Sequence, residues 1–320
     1  MHTPARVLIV SSARNPQYVA MNEAFAAALE QRYGQSLRVQ VAHFHDLVFV
    51  FEAGKPRAFL LDEAHTPLDD FDLLYLKSYS GRKGNDYVEH AHALAICREV
   101  AGLPFIGHEV AQAVSLTKLS QYAKLAAGGF PVPKALFIAP AELTQQYDLV
   151  AKTLGVPFIL KDIGGFGGQY NFLVKDQQHY DHILAQYPEI SFVAQTFIAN
   201  EGDLRVLTIG GKVRMIIQRK RSDDTTHLNN TSQGADATLL PLNTLDQQAT
   251  DMAQRAAAVF PREIAGVDIM FEKDTNIPYL LEVNAGPQVA SGAFMDEKIT
   301  MMGDFLTEVI TNAAETKEGA

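Results

Sequence analysis

AGVDIMFEKDTNIPYLLEVNAG, residues 265–286, predicts a buried β-hairpin that carries three oxygen-bearing side chains. Two mostly apolar runs flank a polar turn centred on Thr275, as is typical of paired strands. If the hairpin closes symmetrically about Thr275, Asp268 lies opposite Glu282, and Asn284 lies two residues further along the same face. Two like charges opposite each other are destabilising, so the pattern predicts that a positive group is missing between them.

Oxygen-only ligands in a half-buried site suit a hard cation such as Mg²⁺ or Mn²⁺. Mg²⁺ usually takes one or two carboxylates together with the phosphates of a substrate, so the hairpin points to a nucleotide. The alternative is that Asp268, Glu282 and Asn284 are ordinary polar groups at strand ends, because the register is assumed.

The composition indicates a globular chain. Its 320 residues, 47% of them hydrophobic, supply a core for about two domains. The formal charge of −10 argues against nucleic acid or an anionic membrane as the main partner. Cys97 is the only cysteine, which excludes an intramolecular disulfide, and no apolar run is long enough for a signal peptide or a membrane span. We therefore expect a cytoplasmic protein, and a homo-oligomer stays open.

Two patterns divide the chain. The first hundred residues alternate strand and helix signals, from RVLIV and AMNEAFAAALEQRYG to FDLLYLKSY and YVEHAHALAICREVAG. This alternation predicts a small βαβ-type domain with a parallel sheet. From Pro131 onward, strands flanked by turns prevail, among them VPFILK, SFVAQTFI, DLRVLTIGG and KVRMIIQRK, which predicts an α+β unit.

A lysine and a run of glycines follow one of these strands. Lys161 ends the apolar stretch 156–160, and the glycine-rich stretch 163–168 comes soon after it. A lysine beside a flexible glycine loop can hold phosphate oxygens while backbone N–H groups close over them. The lysine precedes the glycines, so this is not a Walker A loop. A strand-end lysine at a glycine turn is the alternative.

Charged residues mark the next strands. Asp203 and Arg205 alternate and therefore share one strand face, and Arg219 lies on the strand that follows. Their polarity suggests anion binding, with a surface salt-bridge ladder as the alternative. The segment 222–237 is too polar to pack and too long for a simple turn, which predicts a mobile cover or a disordered loop.

In their order along the chain, these motifs resemble the ATP-grasp superfamily, most nearly its RimK-like ligases, which add glutamate to a ribosomal protein; glutathione synthetase is a more distant likeness. The resemblance covers almost the whole chain. It implies an α/β amino-terminal pre-ATP-grasp domain, of Rossmann-like type, followed by an α+β ATP-grasp domain whose two subdomains sandwich the nucleotide. The implied boundaries are 1–112, 113–190 and 191–315, with a tail at 316–320 that we expect to fray.

The resemblance also implies roles for individual residues. The matching motifs are SLTKLSQYAKLAAGGFPVPKALF, VPFILKDIGGFGGQ, AQTFI, DLRVLTIGGKV and HLNNTSQGA. The implied nucleotide-binding residues are Lys118, Lys161, Gly165, Gly168, Thr196, Phe197 and Asp203. Arg205, Arg219 and Asn229 would attend the transferred phosphate and the substrate. Asp268, Glu282 and Asn284 would bind Mg²⁺, with Mn²⁺ as an alternative metal.

Three positions depart from the family pattern. His227 stands where the RimK-like ligases have arginine, and Thr117 replaces an aspartate before the helix lysine. The family's N-x-x-P-G is here NAGPQ, with Gln288 in place of the last glycine. These departures bear on the substrate more than on the nucleotide.

The amino-terminal domain carries a further basic group. Lys77 falls where such ligases often have an arginine, and Arg82 and Lys83 follow it. They predict either a basic pocket for an acidic acceptor or an ordinary solvated loop.

The resemblance implies that ATP phosphorylates a substrate carboxylate and that an amine then attacks the acyl phosphate to give an amide. The expected partners are small-molecule or peptide carboxylates and amines. Two alternatives stay open at this point. One is a phosphotransferase that uses the same fold to phosphorylate a hydroxyl, and the other is a synapsin-like regulatory protein that binds ATP without ligating.

Overall fold

The computed structural model describes residues 3–12, 15–77, 87–111, 117–165, 167–221, 227–229 and 235–318. Its strands are β1 (Ala5–Ser11), β2 (Leu37–His43), β3 (Leu47–Val50), β4 (Arg57–Leu60), β5 (Leu73–Leu76), β6 (Phe105–Ile106), β7 (Ala135–Phe137), β8 (Phe158–Asp162), β9 (Asn171–Val174), β10 (Phe192–Thr196), β11 (Asp203–Ile209), β12 (Lys212–Lys220), β13 (Asp236–Leu240), β14 (Ile264–Phe271) and β15 (Pro278–Asn284). Its helices are α1 (Pro16–Tyr33), α2 (Val88–Val100), α3 (His108–Ala111), α4 (Lys118–Ala127), α5 (Pro140–Leu143), α6 (Tyr147–Leu154), α7 (Gln177–Gln186), α8 (Gln247–Val259) and α9 (Met295–Glu318). Arg82, Lys83, most of the segment 222–237 and the predicted boundary at 112/113 lie outside the described residues.

The amino-terminal sheet is parallel, with the strand order β2-β1-β5-β6. β1 is a nearly continuous apolar run because helices cover both faces of the sheet. Val7 and Ile9 share one core with α1, whereas Leu8 and Val10 share another with α2. The predicted βαβ-type domain with a parallel sheet is thus confirmed.

The middle sheet is antiparallel, with the order β7-β10-β8-β9, and α6 and α7 share its apolar core. Lys161 lies near the end of β8, just before the glycine-rich loop. β10 pairs with β7 and β8, so it belongs to this sheet. The predicted start of the second subdomain at 191 is therefore wrong, because the sheet of that subdomain begins only at Asp203.

The third sheet is antiparallel, with the order β13-β12-β11-β14-β15, and α8 packs against it. Its register aligns the polar residues that the sequence singled out. Arg219 lies opposite Asp203, and Arg205 lies opposite Asp268. Asp268 is in turn opposite Glu282. The charged residues of the four neighbouring strands β12, β11, β14 and β15 therefore lie in two adjacent rows across the sheet.

The hairpin of β14 and β15 pairs Asp268 with Glu282, as predicted. The pairing is symmetric about Thr275 only from Gly266 to Asp268, the part of the hairpin farthest from the turn. The register shifts between Asp268 and Ile269, where Ile269 pairs with Leu280 and leaves Leu281 as an extra residue on β15. A bulge of this kind re-aims nearby side chains and is common beside functional sites.

Several short elements have no counterpart in the sequence analysis. They are the antiparallel pair β3 and β4, the edge strand β13, and the helices α5 and α6. Each spans at most eight residues, which is too short for hydrophobic periodicity to distinguish a helix or strand from a loop.

Helix α9 joins the two halves of the molecule. Gly303 lies so close to Tyr33 of α1 that an added Cβ would approach its ring to 2.2 Å, and the Tyr33 hydroxyl donates to Asp304 at 2.7 Å. The tail 316–320 is expected to fray, whereas α9 continues through it as far as Glu318. Among the described helices, none has both the length and the apolar character needed to cross a membrane.

Candidate functional site

A cleft of about 1010 Å³ is lined by residues of all three main sheets. Every site residue predicted from the sequence lines it except Thr196, whose hydroxyl donates to the Leu154 carbonyl at 3.4 Å. The two neighbours of Thr196, Gln195 and Phe197, line the cleft instead, as the alternation of side chains along an extended segment requires. The resemblance implies that Thr196 binds the nucleotide. Because its side chain does not line the cleft, the contact we expect from Thr196 is one made by its backbone.

Asp268 lies at the centre of a buried charge network. Its carboxylate accepts hydrogen bonds from Arg205, through Nε and, at 3.0 Å, through Nη2. Arg219 Nη2 lies 3.1 Å from the same carboxylate, and Arg219 Nε donates to Asp203 at 2.6 Å. The positive group that the hairpin pattern predicted is therefore supplied, at Asp268, by two guanidinium groups of the chain itself.

The packing around Arg205 depends on a glycine. A Cβ added at Gly266 would lie 2.9 Å from Arg205 Cδ and 2.7 Å from Pro287 Cβ. Only a residue without a side chain leaves room for the arginine to lie beside β14 and reach Asp268. The glycine in AGVDIM is thus part of the site, although the sequence analysis did not assign it a role.

The two acids of the network titrate differently. Burial raises the pKa of Asp268, but Arg205 and Arg219 outweigh burial, so that its pKa lies below the usual range. Burial dominates at Asp203 and raises its pKa to about 6, against the lowering effect of Arg219. Arg219 therefore bridges a firmly ionised carboxylate and one that titrates near neutrality.

Two lysines meet the glycine-rich loop and the hairpin. Lys118 Nζ donates to the Gly165 carbonyl and lies 3.9 Å from Glu282 Oε1, and its backbone N–H donates to the Ile163 carbonyl at 2.9 Å. Lys161 is enclosed, and burial lowers its pKa, although the nearby Glu282 acts in the opposite direction. The start of α4 is thus fixed to the loop, with both ammonium groups in the cleft.

The hairpin donors fit a hard divalent cation by their chemistry. Asn284 donates its amide N–H groups to Gly266 O and Asp268 Oδ2, both at 3.3 Å, which leaves its Oδ1 as an oxygen ligand. Of the residues that the structure describes, no three His, Cys, Asp or Glu side chains are grouped as a metal site. The set therefore depends on the Asn284 amide oxygen, and a cation at Asp268 competes with Arg205 for the carboxylate.

Val283 lies between the proposed metal donors Glu282 and Asn284, and both its backbone N–H and its carbonyl are hydrogen-bonded. Val283 N–H donates to Gln121 Oε1 at 3.1 Å, and Arg262 donates to the Val283 carbonyl. Arg262 is itself fixed by Glu109, through a 2.6 Å hydrogen bond from Nε. No local pattern in the sequence singles out Gln121, Arg262 or Glu109, because Arg262 contacts Glu109 across 153 positions and Gln121 contacts Val283 across 162.

Several residues of the cleft form a less polar wall. Gln195 is almost fully buried and accepts a hydrogen bond from the Tyr122 hydroxyl. Ile159, Ile198 and Met270 line the cleft as well. Apolar surfaces with one or two polar groups at their edge suit a planar heterocycle.

Two polar residues of the segment 227–229 face the cleft. Asn229 donates to Asn200 Oδ1 at 3.0 Å, whereas its own Oδ1 is buried and has no hydrogen-bond partner among the residues that the structure describes. His227 Nε2 lies 2.9 Å from Asn171 Oδ1, and burial lowers the pKa of His227 to about 4. The side chain that replaces the family arginine is therefore neutral at pH 7.

Gln288 also lines the cleft, and its backbone is strained. Its φ of 57° lies in the left-handed region that glycine adopts readily and other residues seldom do. The last glycine of the family motif N-x-x-P-G suits this conformation. In this chain Gln288 takes its place, and its side chain stands where the backbone angle favours a residue without one. Strain of this kind at a cleft is often retained for function.

Comparison with known families agrees with this arrangement. Residues 116–309, more than half of the chain, match the family model of the RimK-like ATP-grasp domain. A probable alpha-L-glutamate ligase of Thioalkalivibrio sulfidiphilus is 28% identical over 194 residues. That match spans 59% of this chain and 62% of the relative, which is less than two thirds of the relative's length.

Two solved structures share the fold along nearly the whole chain. The ATP-grasp ligase PsnB, complexed with minimal precursor, Mg and ADP, is 16% identical with a TM-score of 0.66, over 95% of this chain and 98% of that one. A D-alanine–D-alanine ligase from Bacillus anthracis, complexed with ATP, is 17% identical with a TM-score of 0.66, over 99% and 100%. At these identities the likeness concerns the fold alone.

Replacing Gln288 by glycine tests the strain at this position. We expect Gln288→Gly to raise the free energy of unfolding by about 0.5–1 kcal/mol, because relief of the left-handed strain exceeds the added entropy of the unfolded chain. Urea unfolding followed by circular dichroism measures the change. Gln288→Ala is the matched control, since it removes the amide but keeps the Cβ, and it should bring no gain. A glycine variant less stable than the wild type would contradict the assignment of strain.

Proposed function

The chain belongs to the RimK-like ATP-grasp family, and from this premise we propose that it is an ATP- and Mg²⁺-dependent ligase that joins a carboxylate to an amine. The observation that carries the proposal is the cleft, where two lysines, two arginines, a glycine-rich loop and the hairpin donors converge. The names of the relatives, which include glutamate ligases, support an amino acid or a peptide as substrate. Mn²⁺ as an alternative metal and a cytoplasmic location stay predictions.

In the proposed reaction, an oxygen of the substrate carboxylate attacks the γ-phosphorus of ATP, the bond to the β,γ-bridging oxygen breaks, and ADP leaves. An amine nitrogen then attacks the acyl carbon, the bond to the phosphate oxygen breaks, and inorganic phosphate leaves. The amine proton passes to the phosphate or to solvent. No side-chain nucleophile takes part, so the protein contributes position and charge.

The phosphates of ATP fit beside Lys118 and Lys161. Both ammonium groups line the cleft next to the glycine-rich loop, whose Gly165 and Gly168 leave backbone groups accessible. Lys161 has already lost most of its hydration by burial, so its interaction with a phosphate oxygen is little screened by water. Asp268, Glu282 and Asn284 would hold Mg²⁺, which when bound neutralises charge on the phosphates.

Arg205 and Arg219 are preorganised to stabilise the transferred phosphoryl group. Their ion pairs with Asp268 and Asp203 fix both guanidinium groups before a substrate arrives. Charges held in this way need little reorganisation during the reaction, which is the main source of electrostatic catalysis. Asn229 adds a buried acceptor that suits an N–H or O–H group of the ligand.

The adenine and ribose fit at the less polar wall. Phe197 and Gln195 line this part of the cleft, and the backbone of the β10 end offers hydrogen-bonding groups even though the Thr196 side chain points elsewhere. Asp203 is the predicted ribose contact, and its carboxylate is shared with Arg219. No feature described in the cleft favours the phosphotransferase or the non-ligating regulatory protein over the ligase.

Trapping with hydroxylamine tests the proposed chemistry. With ATP, Mg²⁺ and L-glutamate, we expect the protein to release ADP and, when hydroxylamine replaces the amine, to form a glutamyl hydroxamate. An acyl phosphate reacts with hydroxylamine, whereas the phosphate ester made by a hydroxyl kinase does not. The hydroxamate is measured by mass spectrometry. ADP release over a panel of amino acids, short peptides and small acids without any hydroxamate would contradict the ligase assignment.

Glu282→Gln tests the metal donors without disturbing the buried network. We expect ADP release to fall by at least about a hundredfold, with partial recovery at high Mg²⁺, because an amide is a weaker ligand for a hard cation. Asp268 is unsuitable for this test, since its removal leaves Arg205 and Arg219 buried without a carboxylate.

The matched control is Glu297→Gln, an exposed position of α9 outside the cleft. It should keep wild-type turnover and the same Mg²⁺ dependence. Equal turnover and equal Mg²⁺ dependence for Glu282→Gln and the wild type would show that Glu282 is not a metal donor.

A further inference from the structure

The amino-terminal sheet ends in a polar crevice that the proposed reaction does not use. Its strand order β2-β1-β5-β6 means that the chain leaves β1 toward one side of the sheet and later returns to the other. The gap between β1 and β5 is therefore the topological switch point of the sheet, where ligands of parallel α/β domains bind outside the carboxyl ends of the strands. Ser11 and Ser12 end β1 at this gap, and Lys77 directly follows β5.

Lys77 is a half-buried cation without a carboxylate partner in the described part of the chain. Its backbone N–H donates to the Val10 carbonyl at 2.8 Å, which fixes the residue beside β1. Its ammonium group donates to Asn22 Oδ1 and lies 5.7 Å from the centre of the Phe25 ring. Burial lowers the pKa of Lys77 to about 8, so the group is still mostly charged at neutral pH.

A network of buried polar groups holds this ammonium in place. Asn22, which is 2% exposed, donates from Nδ2 to Ser11 Oγ at 3.0 Å while its carbonyl accepts from Lys77. Ser11 Oγ lies 3.4 Å from His43 Nδ1 on β2. Every partner of the charge among the described residues is neutral, so these residues compensate the desolvation of the cation only in part.

The surroundings also favour an anion. Helix α1 begins at the crevice, Tyr18 and Asn22 of its first turns line the cleft, and its first turn contains no acidic residue. The positive end of the helix therefore adds to the charge of Lys77. Glu109 lines the cleft as well, but Arg262 neutralises its carboxylate.

We propose that this crevice, formed by Ser11, Ser12, Asn22 and Lys77, binds a substrate carboxylate that takes no part in the reaction. The crevice and the ATP end belong to one continuous cleft, so a substrate bound to Lys77 extends toward the phosphates. The inference rests on the proposed ligase function, and it narrows the substrate to an acid that carries a second, unreacted carboxylate or to an amino acid that supplies the amine. Lys77 and Asn22 are then determinants of substrate specificity.

Calorimetric titration of L-glutamate into the full-length protein saturated with Mg²⁺ and ADP tests the inference. We expect Lys77→Met to weaken L-glutamate binding by about ten- to hundredfold, the cost of losing one charged hydrogen bond. Lys55→Met, at an exposed lysine of the same domain, is the matched control and should bind L-glutamate as the wild type does. The affinity for Mg²⁺ and ADP should be the same in all three proteins.

Two amides of glutamate identify which carboxylate the crevice holds. L-glutamine lacks the side-chain carboxylate and isoglutamine lacks the α-carboxylate. The compound in which an amide replaces the carboxylate held by the crevice should bind the wild-type protein weakly. The Lys77→Met substitution should not weaken the binding of that compound any further. The other amide should remain sensitive to Lys77→Met.

Three results separate failure of the inference from failure of the proposed function. Unchanged L-glutamate affinity in Lys77→Met, with nucleotide binding intact, overturns the crevice as a carboxylate site. So does an absence of L-glutamate binding by wild-type protein that binds Mg²⁺ and ADP. A wild-type protein that binds no nucleotide contradicts the ligase function itself.

Discussion

The site depends on one network of buried charges, which lie in two adjacent rows across three neighbouring strands. Asp203, Arg219, Asp268 and Arg205 neutralise one another by register, since each arginine lies opposite an acid on the adjacent strand. Burial makes each charge costly alone, so loss of any one leaves an uncompensated partner. The network holds two guanidinium groups in fixed positions at the cleft, and these groups also occupy the Asp268 carboxylate that the hairpin presents to a metal. Cation binding and arginine positioning are therefore linked through Asp268.

Contacts elsewhere in the fold hold this charge network and the neighbouring hairpin donors in place. Gly266 provides the space in which Arg205 lies, and the bulge at Leu281 changes the register of β15 just before Glu282. Gln121 and Arg262 hold the backbone of Val283, which lies between Glu282 and Asn284. A shared apolar core and the contact between α1 and α9 fix the amino-terminal domain against the rest, so that the crevice at Lys77 opens into the same cleft.

Local patterns in the sequence predict the elements that carry the site, and non-local contacts limit the prediction. The alternation along the hairpin is enough to place Asp268 opposite Glu282, because strand pairing across a short turn is a local property. The same pattern does not show that arginines from two other strands occupy Asp268. The boundary at 191, which the family resemblance implies, separates β10 from its partners β7 and β8, because those strands lie far from it in sequence. The strain at Gln288 is visible only from the backbone angle.

We propose above all that Asp268, Glu282 and Asn284 hold the divalent cation of a nucleotide bound in this cleft. The most direct measurement is a crystal structure of the protein with Mn²⁺ and ADP, in which anomalous scattering locates the metal. We predict a manganese peak bonded to Glu282 and to at least one of the other two donors, with ADP phosphates beside Lys118 and Lys161. Manganese and phosphates bound elsewhere, with Asp268 contacting only Arg205, Arg219 and Asn284, would contradict it.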